Sequence, residues 1–320
     1  MQVVNPQIVS GKKVLLRYDI DVALNPLEDF KLKAGLATLR LCLENAEQVI
    51  LMGHVGRPDG KVVPELSVEP IRQWFSDQGF NLNILENLRF DPREEACDPE
   101  YAKELAQMGD FYVNEAFSAY HRAVSTTILP TLLPHAAGLH FAKEVQKLIE
   151  VRNPPAGGPK KPFIAIMGGA KVLDKLPVIK VLAKKADAVL VGGKLIHEIR
   201  EQNIQLPANV LVGKLSEDGF DIAPETTEAW KRLIRQSRMI VWNGPVGKFE
   251  DSKNEQTKNL ARAILDCGAE IIIGGGDSVA ALSQYGLFEE AEQKAFISVG
   301  GGAMLNLLAD GTLPTIEALK

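Results

Sequence analysis

The sequence predicts an α/β protein of two halves, each a parallel sheet with helices on both faces. Three observations carry this. Short runs that are apolar at every position recur along the 320 residues, as expected of strands buried on both faces. Segments with a helical repeat separate them. The densest Pro/Gly stretch, Asn153 to Pro162, divides the chain into halves of similar size.

The strands expected in the first half are Val14–Leu16, Val49–Met52 and Phe111–Val113. Between them, Asp98-Pro99-Glu100 supplies an N-cap, a first-turn proline and an acid, so a helix should run from Tyr101 to Met108 and stop at Gly109. A further helix is expected from Lys143 to Val151. In the second half the strands are Phe163–Ile166, Ala188–Val191, Met239–Trp242, Glu270–Ile273 and Phe296–Val299. Leu176, Ile179, Val181 and Leu182 mark one helix face after Asp174, and Trp230, Leu233 and Ile234 another.

Composition excludes several classes. An apolar content of 46% is too high for a disordered chain. With 36 basic against 41 acidic residues the net charge is -5, which disfavours nucleic acid as a partner. No apolar run is long enough to span a membrane, and the start MQVVNPQIVSGKK does not read as a secretory signal. Cys42, Cys97 and Cys267 are too scattered for a disulfide framework or a zinc site, so a reducing cytoplasm is the expected compartment.

Strands of the second half run into glycine clusters: Gly168-Gly169-Ala170-Lys171, Gly192-Gly193-Lys194, Gly274-Gly275-Gly276-Asp277-Ser278 and Gly300-Gly301-Gly302. The turn Trp242-Asn243-Gly244-Pro245 follows a fifth strand. In a parallel sheet all fall on the carboxyl edge, where backbone N–H groups and helix N-termini bind phosphate. One such turn could be packing alone, but several together predict a nucleotide or phosphate edge. There is no G-x-x-x-x-G-K-[ST], and Val279 and Leu305 break G-x-G-x-x-G, so neither a P-loop nor a dinucleotide site is expected. Lys171 and Lys175, spaced i and i+4, should share a helix face and reach phosphate oxygens, a solvated face being the bland alternative. Asp277 suits either a Mg²⁺–phosphate contact or N-capping of the next helix.

Basic residues of the first half collect in turns: His54-Val55-Gly56-Arg57, Leu88-Arg89-Phe90 and Tyr120-His121-Arg122. Each alone could be a surface ion pair, but on one sheet edge they predict a small anionic substrate. Asp19-Ile20-Asp21 could instead open a haloacid-dehalogenase-type phosphatase, yet no second acid follows Asp277 within the next four residues.

With these motifs in order, the sequence resembles the phosphoglycerate kinase family nearly end to end. The resemblance is carried by Arg17–Val22, Gly53–Pro58, Leu85–Phe90, Val113–Phe117 with His121-Arg122-Ala123, Gly168–Val172 with Asp174-Lys175, Val241–Pro245 with Phe249-Glu250, Gly274–Ser278 and Gly300–Ala303. It implies two doubly wound, Rossmann-like lobes joined by a hinge helix. Residues 1–142 would bind 3-phosphoglycerate, 143–158 form the hinge and linker, 159–308 bind MgATP or MgADP, and 309–320 return to the first lobe. It implies a monomeric, Mg²⁺-dependent glycolytic enzyme. Substrate contacts would come from Asp19, Ile20, Asp21, Lys31, His54, Val55, Gly56, Arg57, Arg89, His121 and Arg122. Nucleotide contacts would come from Gly168, Gly169, Lys171, Lys175, Gly192, Asn243, Glu250 (to the ribose), Gly275, Gly276, Asp277 (towards Mg²⁺) and Ser278. Lys31, Lys175, Arg122, Gly275 and Gly301 would be catalytic.

The sequence also departs from the family. Asp21 stands where asparagine is usual, and Ala23 where proline is. Lys31 (with Lys33 as its rival in register) stands where an arginine faces the transferring phosphoryl group. Lys194 and Ala223 replace glycines, and Val299 a threonine. Residues are missing between Gln78 and Ile84 and between His197 and Asn209. An impaired, nucleotide- or anion-binding regulator is therefore the alternative to an active kinase.

Overall fold

The computed structural model describes residues 1–22, 29–153 and 160–320. Ala23 and most of the expected linker lie outside the described residues. The chain forms two compact units, Met1–Gln146 with Thr312–Lys320, and Lys147–Gly311.

The first unit is built on β1 (Lys13–Arg17), β2 (Gln48–Met52), β3 (Asn83–Ile84), β4 (Phe111–Asn114) and β5 (His135–Ala137). All neighbours are parallel, in the order β3-β2-β1-β4-β5. Leu15 pairs with Ile50 on one side and Tyr112 on the other. The second unit adds β6 (Phe163–Met167), β7 (Ala188–Val191), β8 (Val210–Val212), β9 (Met239–Asn243), β10 (Glu270–Gly274) and β11 (Ala295–Ser298). Its order is β11-β10-β9-β6-β7-β8, again parallel throughout. Counted from β6, that is the doubly wound order 3-2-1-4-5-6. Strand order reverses between β1 and β4, and between β6 and β9, and such switch points open ligand crevices at the carboxyl edge.

The eight expected strands are all present. Central ones are buried at nearly every position, as continuous apolar runs require. Ile166, Ile240, Ile273 and Trp242 meet Trp230 and Ile234 in the second unit's core. Burying each such aliphatic side chain contributes about 1.5–3 kcal/mol. The three unexpected strands, β3, β5 and β8, have two or three residues each, too short for a periodic signal.

The helix Pro99–Ala106 starts where the cap signal placed it, with the Asp98 side chain accepting from the N–H groups of Glu100 and Tyr101. The helix Leu139–Arg152 begins four residues earlier than its pattern suggested. Its first N–H groups, of His140 and Phe141, donate to Glu115, each at 3.0 Å, and Thr38 Oγ1 donates to the same carboxylate at 2.8 Å. A cap supplied from a distant loop leaves no local signature. No helix among the described residues is long and apolar enough to cross a membrane.

Candidate active site

The carboxyl edge of β1 continues through Tyr18 to Asp21. Ile20 is fully buried, so its side chain packs against the core rather than facing a ligand. Asp19 is 4% exposed. Ser118, just past β4, donates to Asp19 Oδ2 at 2.5 Å, a bond that spans the switch point. The other oxygen, Oδ1, is buried and has no partner among the described residues. Asp21 is more open. Its Oδ1 accepts the Gly56 N–H at 2.9 Å, and Lys31 Nζ donates to its backbone carbonyl at 3.2 Å. Lys33, the rival in register, is exposed and paired with Asp29 at 2.9 Å.

Gly56 links two site residues: its N–H holds Asp21, and its carbonyl accepts from Arg89 Nη1 at 2.8 Å. Asn87 fixes the neighbouring Val55 carbonyl at 2.7 Å. His54 is buried, and Arg17 Nη2 lies 2.6 Å from its Nδ1. Arginine can only donate, so Nδ1 accepts and the ring proton sits on Nε2, which lies 3.8 Å from Asp21 Oδ2. Burial first, then Arg17, Arg89, Lys31 and His121, hold the His54 pKa well below its ordinary value, so the ring is neutral at pH 7. His121 is likewise held down by burial, then by Arg89 and Arg57. These mutual effects put Lys31, His54, Arg57, Arg89 and His121 in one cationic neighbourhood. Arg57 and Arg122 are exposed.

In the second unit the turns after β6, β9 and β10 crowd together. A Cβ on Gly168 would lie 2.1 Å from the Pro245 carbonyl oxygen, and one on Gly301 would lie 2.4 Å from Gly275 Cα. Only glycine allows these approaches. A Cβ on Gly192 would lie 2.7 Å from Val246 Cβ, whereas Gly276 faces open space. Lys175 Nζ donates to the Gly168 carbonyl and lies beside Gly169 and Gly244. Burial pulls its pKa down to about 8, against the pull of Asp277, Asp174 and Glu198. Asn243 is buried next to Gly275, and its Nδ2 has no partner among the described residues. A half-buried ammonium and a free amide at a switch point are donors suited to an anion's oxygens. Glu250 stands exposed on a later turn.

Several expectations change. Lys171 precedes the helix Val172–Ala183 in a left-handed conformation, φ +63°, so it does not share a helix face with Lys175. Asp277 lies inside the helix Gly276–Gln284, whose N-cap is Gly275, and makes no capping bond, so the capping alternative fails. The Ser278 hydroxyl is fully buried, accepting the Gly244 N–H at 2.7 Å and donating to the Gly274 carbonyl at 2.9 Å, so it stitches two turns instead of facing a ligand. Lys194 and Ala223, expected to stand at glycine positions, have φ of -60° and -66°, where any residue fits. Sequence reasoning missed Ser118, Glu198 and the Arg17–His54 bond, because each joins residues far apart in the sequence.

Two doubly wound units, one with a cationic patch and one with glycine turns around Lys175 and an unpartnered Asn243 amide, define an α/β phosphotransferase for small anions. The family described as phosphoglycerate kinase matches residues 4–79, 77–206 and 198–311, and the chain belongs to that family. Among curated relatives, the phosphoglycerate kinase of Herpetosiphon aurantiacus is 35% identical over 388 positions, covering 97% of each chain. That of Chlorobium phaeovibrioides is 36% identical, covering 98% of this chain and 97% of its own. The structure of phosphoglycerate kinase from Coxiella burnetii superposes with a TM-score of 0.81 at 27% identity, covering 97% of this chain and 96% of that one. The Pyrococcus horikoshii structure gives 0.80 at 25% identity over the same shares. The 388 aligned positions exceed the 320 residues here by 68, so at least that many fall in gaps of this chain.

Proposed function

We propose that this chain transfers a phosphoryl group reversibly between 1,3-bisphosphoglycerate and ADP, giving 3-phosphoglycerate and ATP, the Mg²⁺-dependent step of glycolysis. The near full-length family match supports the reaction. The observation that carries the site is the unpartnered Asn243 amide at Gly275, with the Lys175 ammonium seated at Gly168 and Gly244 on the turns of the same sheet edge.

The acceptor is a carboxylate, ionised at neutral pH, so no general base is required. Catalysis reduces to positioning and charge neutralisation. In the first unit, Arg57, Arg89, Arg122, Lys31 and neutral His54 would face the acid's anionic ends. Its hydroxyl is the one donor 3-phosphoglycerate offers, and Asp19 Oδ1 is the buried acceptor without a partner. In the second unit, Lys175, Asn243 and the open backbone at Gly276 would take the nucleotide phosphates, with Lys171 at the rim and Glu250 towards the ribose. The described residues hold no group of three metal-ligating side chains. The fit is therefore to Mg²⁺ carried on phosphate oxygens, with exposed Asp277 as the protein ligand. The ion would supply neutralisation of phosphate charge. We take the enzyme to work as a cytoplasmic monomer on small molecules, and the chain's net charge of -5 disfavours nucleic acid as a partner.

A coupled assay with 3-phosphoglycerate and MgATP tests the reading directly. No turnover alongside intact MgADP binding would favour the regulatory alternative. Arg122→Ala should weaken 3-phosphoglycerate binding by about tenfold or more, the loss of a charge-assisted contact. An unchanged dissociation constant removes Arg122 from the site.

Lys31→Arg should raise turnover with little change in substrate affinity, since a planar fork meets the transferring group better than an ammonium does. The Asp21 carboxylate is taken up by Gly56, Lys31 touches only its carbonyl, and Arg17 turns away to His54. Lys31 and Asp21 nevertheless touch, so adding Asp21→Asn should give a gain larger than the sum of the two single changes. Steady-state kinetics on the two single variants and the double variant measure both points. A loss of turnover in Lys31→Arg would mean that the site is built around lysine.

A further inference from the structure

Glu198 lies on the helix Leu195–Glu201 that follows β7, and no motif drew attention to it. Its Oε1 accepts the Lys171 N–H at 2.9 Å and its Oε2 accepts the Val172 N–H at 2.7 Å. The same helix begins by donating the Leu195 N–H to the Gly169 carbonyl at 3.2 Å. The turn it grips is unusual. Gly169 has φ +82° and Lys171 φ +63°, two left-handed residues in three, and the second is not a glycine. A lysine holds that conformation only when its surroundings impose it. The helix Val172–Ala183 has no capping bond from its own N-cap side chain, so Glu198 supplies the acid its N-terminus wants.

We propose that Glu198 is a positioning residue of the nucleotide site, clamping the Gly168–Lys171 turn so that Lys175 is presented to phosphate oxygens; this rests on the nucleotide reading of that turn. The clamp acts on Lys175 through its seat, because Nζ is anchored on the carbonyl of Gly168, the first residue of the turn. Repulsion between Glu198 and a phosphate is small by comparison, since both carboxylate oxygens are engaged by N–H groups at the positive end of a helix. Three carboxylates face Lys175: Asp277, Asp174 and Glu198. Removing one of them should also make the ammonium easier to deprotonate.

The test compares Glu198→Ala and Glu198→Gln with the unaltered full chain, by calorimetry with MgADP between pH 6.5 and 9 and by steady-state kinetics. The alanine variant should bind MgADP about tenfold more weakly, with KM for the nucleotide changing more than kcat. The glutamine variant keeps one acceptor but lacks the charge, so it should lose less affinity. Its alkaline loss of binding should begin at lower pH than in the parent, a shift that a merely structural cap would not produce. If alanine prevents folding, the isosteric glutamine variant decides the matter. Affinities within twofold of the parent with an unmoved pH profile, or tighter binding in either variant, would overturn the clamp. Failure of the parent itself to bind MgADP would overturn the nucleotide reading and this inference with it.

Discussion

Lys175→Ala should lower turnover by about 100- to 1,000-fold, the usual scale for removing one preorganised group that stabilises developing charge. The ammonium sits in a seat of glycine backbone, largely out of water, where its interaction with a phosphate is strong. Ordinary folding of the variant, checked by thermal melting, separates loss of chemistry from loss of structure. The same burial gives the parent a pH signature. With a ligand-free pKa of about 8, Lys175 is protonated below that pH and increasingly neutral above it. A bound phosphate favours the charged form, so binding near pH 8 should draw a proton from solution. MgADP affinity should fall as the pH rises through 8. Calorimetry in two buffers of different ionisation enthalpy measures that proton. Its absence in the parent, or its persistence in Lys175→Ala, would assign the titration to another group.

Arg17→Met should destabilise the protein by about 3–5 kcal/mol, because it breaks a buried charged network without replacing its partners. Arg17 is 1% exposed. It donates to Ser125 Oγ at 3.0 Å, to the Tyr18 carbonyl at 2.6 Å and to His54 Nδ1. Ser125 in turn donates through both N–H and Oγ to buried Glu94. Burial raises the Glu94 pKa, while Ser125 and Arg17 oppose the rise, so deleting the guanidinium leaves an acid with less reason to ionise. A drop in melting temperature on the order of 10 °C is expected. The variant should also bind 3-phosphoglycerate more weakly, since His54 would lose the bond that fixes its tautomer. A melting temperature within 2 °C of the parent would show that the network contributes little.

The two sheets were legible in the sequence because central parallel strands must be apolar at every position, and Val14–Leu16 and Met239–Trp242 are. Tight glycine turns such as Gly168–Gly169 were legible for the same kind of reason: only one residue type satisfies the geometry. The site's wiring was not. The Ser118–Asp19 bond joins residues 99 apart in sequence, and the Glu115 cap reaches 25 residues along the chain to His140. Neither leaves a local pattern. The left-handed Lys171 was misread because a spacing of four implies a shared face only inside a continuous helix. Lys175 could be named from its motif, but its proton affinity depends on backbone brought in from other turns.

The segment Thr312–Lys320 belongs to the unit otherwise made of Met1–Gln146, and its helix Pro314–Glu317 packs on Val124–Ile128, immediately after Arg122. Leu313, Thr315 and Leu319 are almost wholly buried. The unit encoded first is therefore completed by residues encoded after the whole of the second. On a ribosome, the stretch Lys147–Gly311 can close its sheet while the earlier unit still lacks a piece of its floor. Met1–Gln146 is thus finished by a segment encoded beyond Gly311, whereas Lys147–Gly311 is drawn from one unbroken stretch of chain.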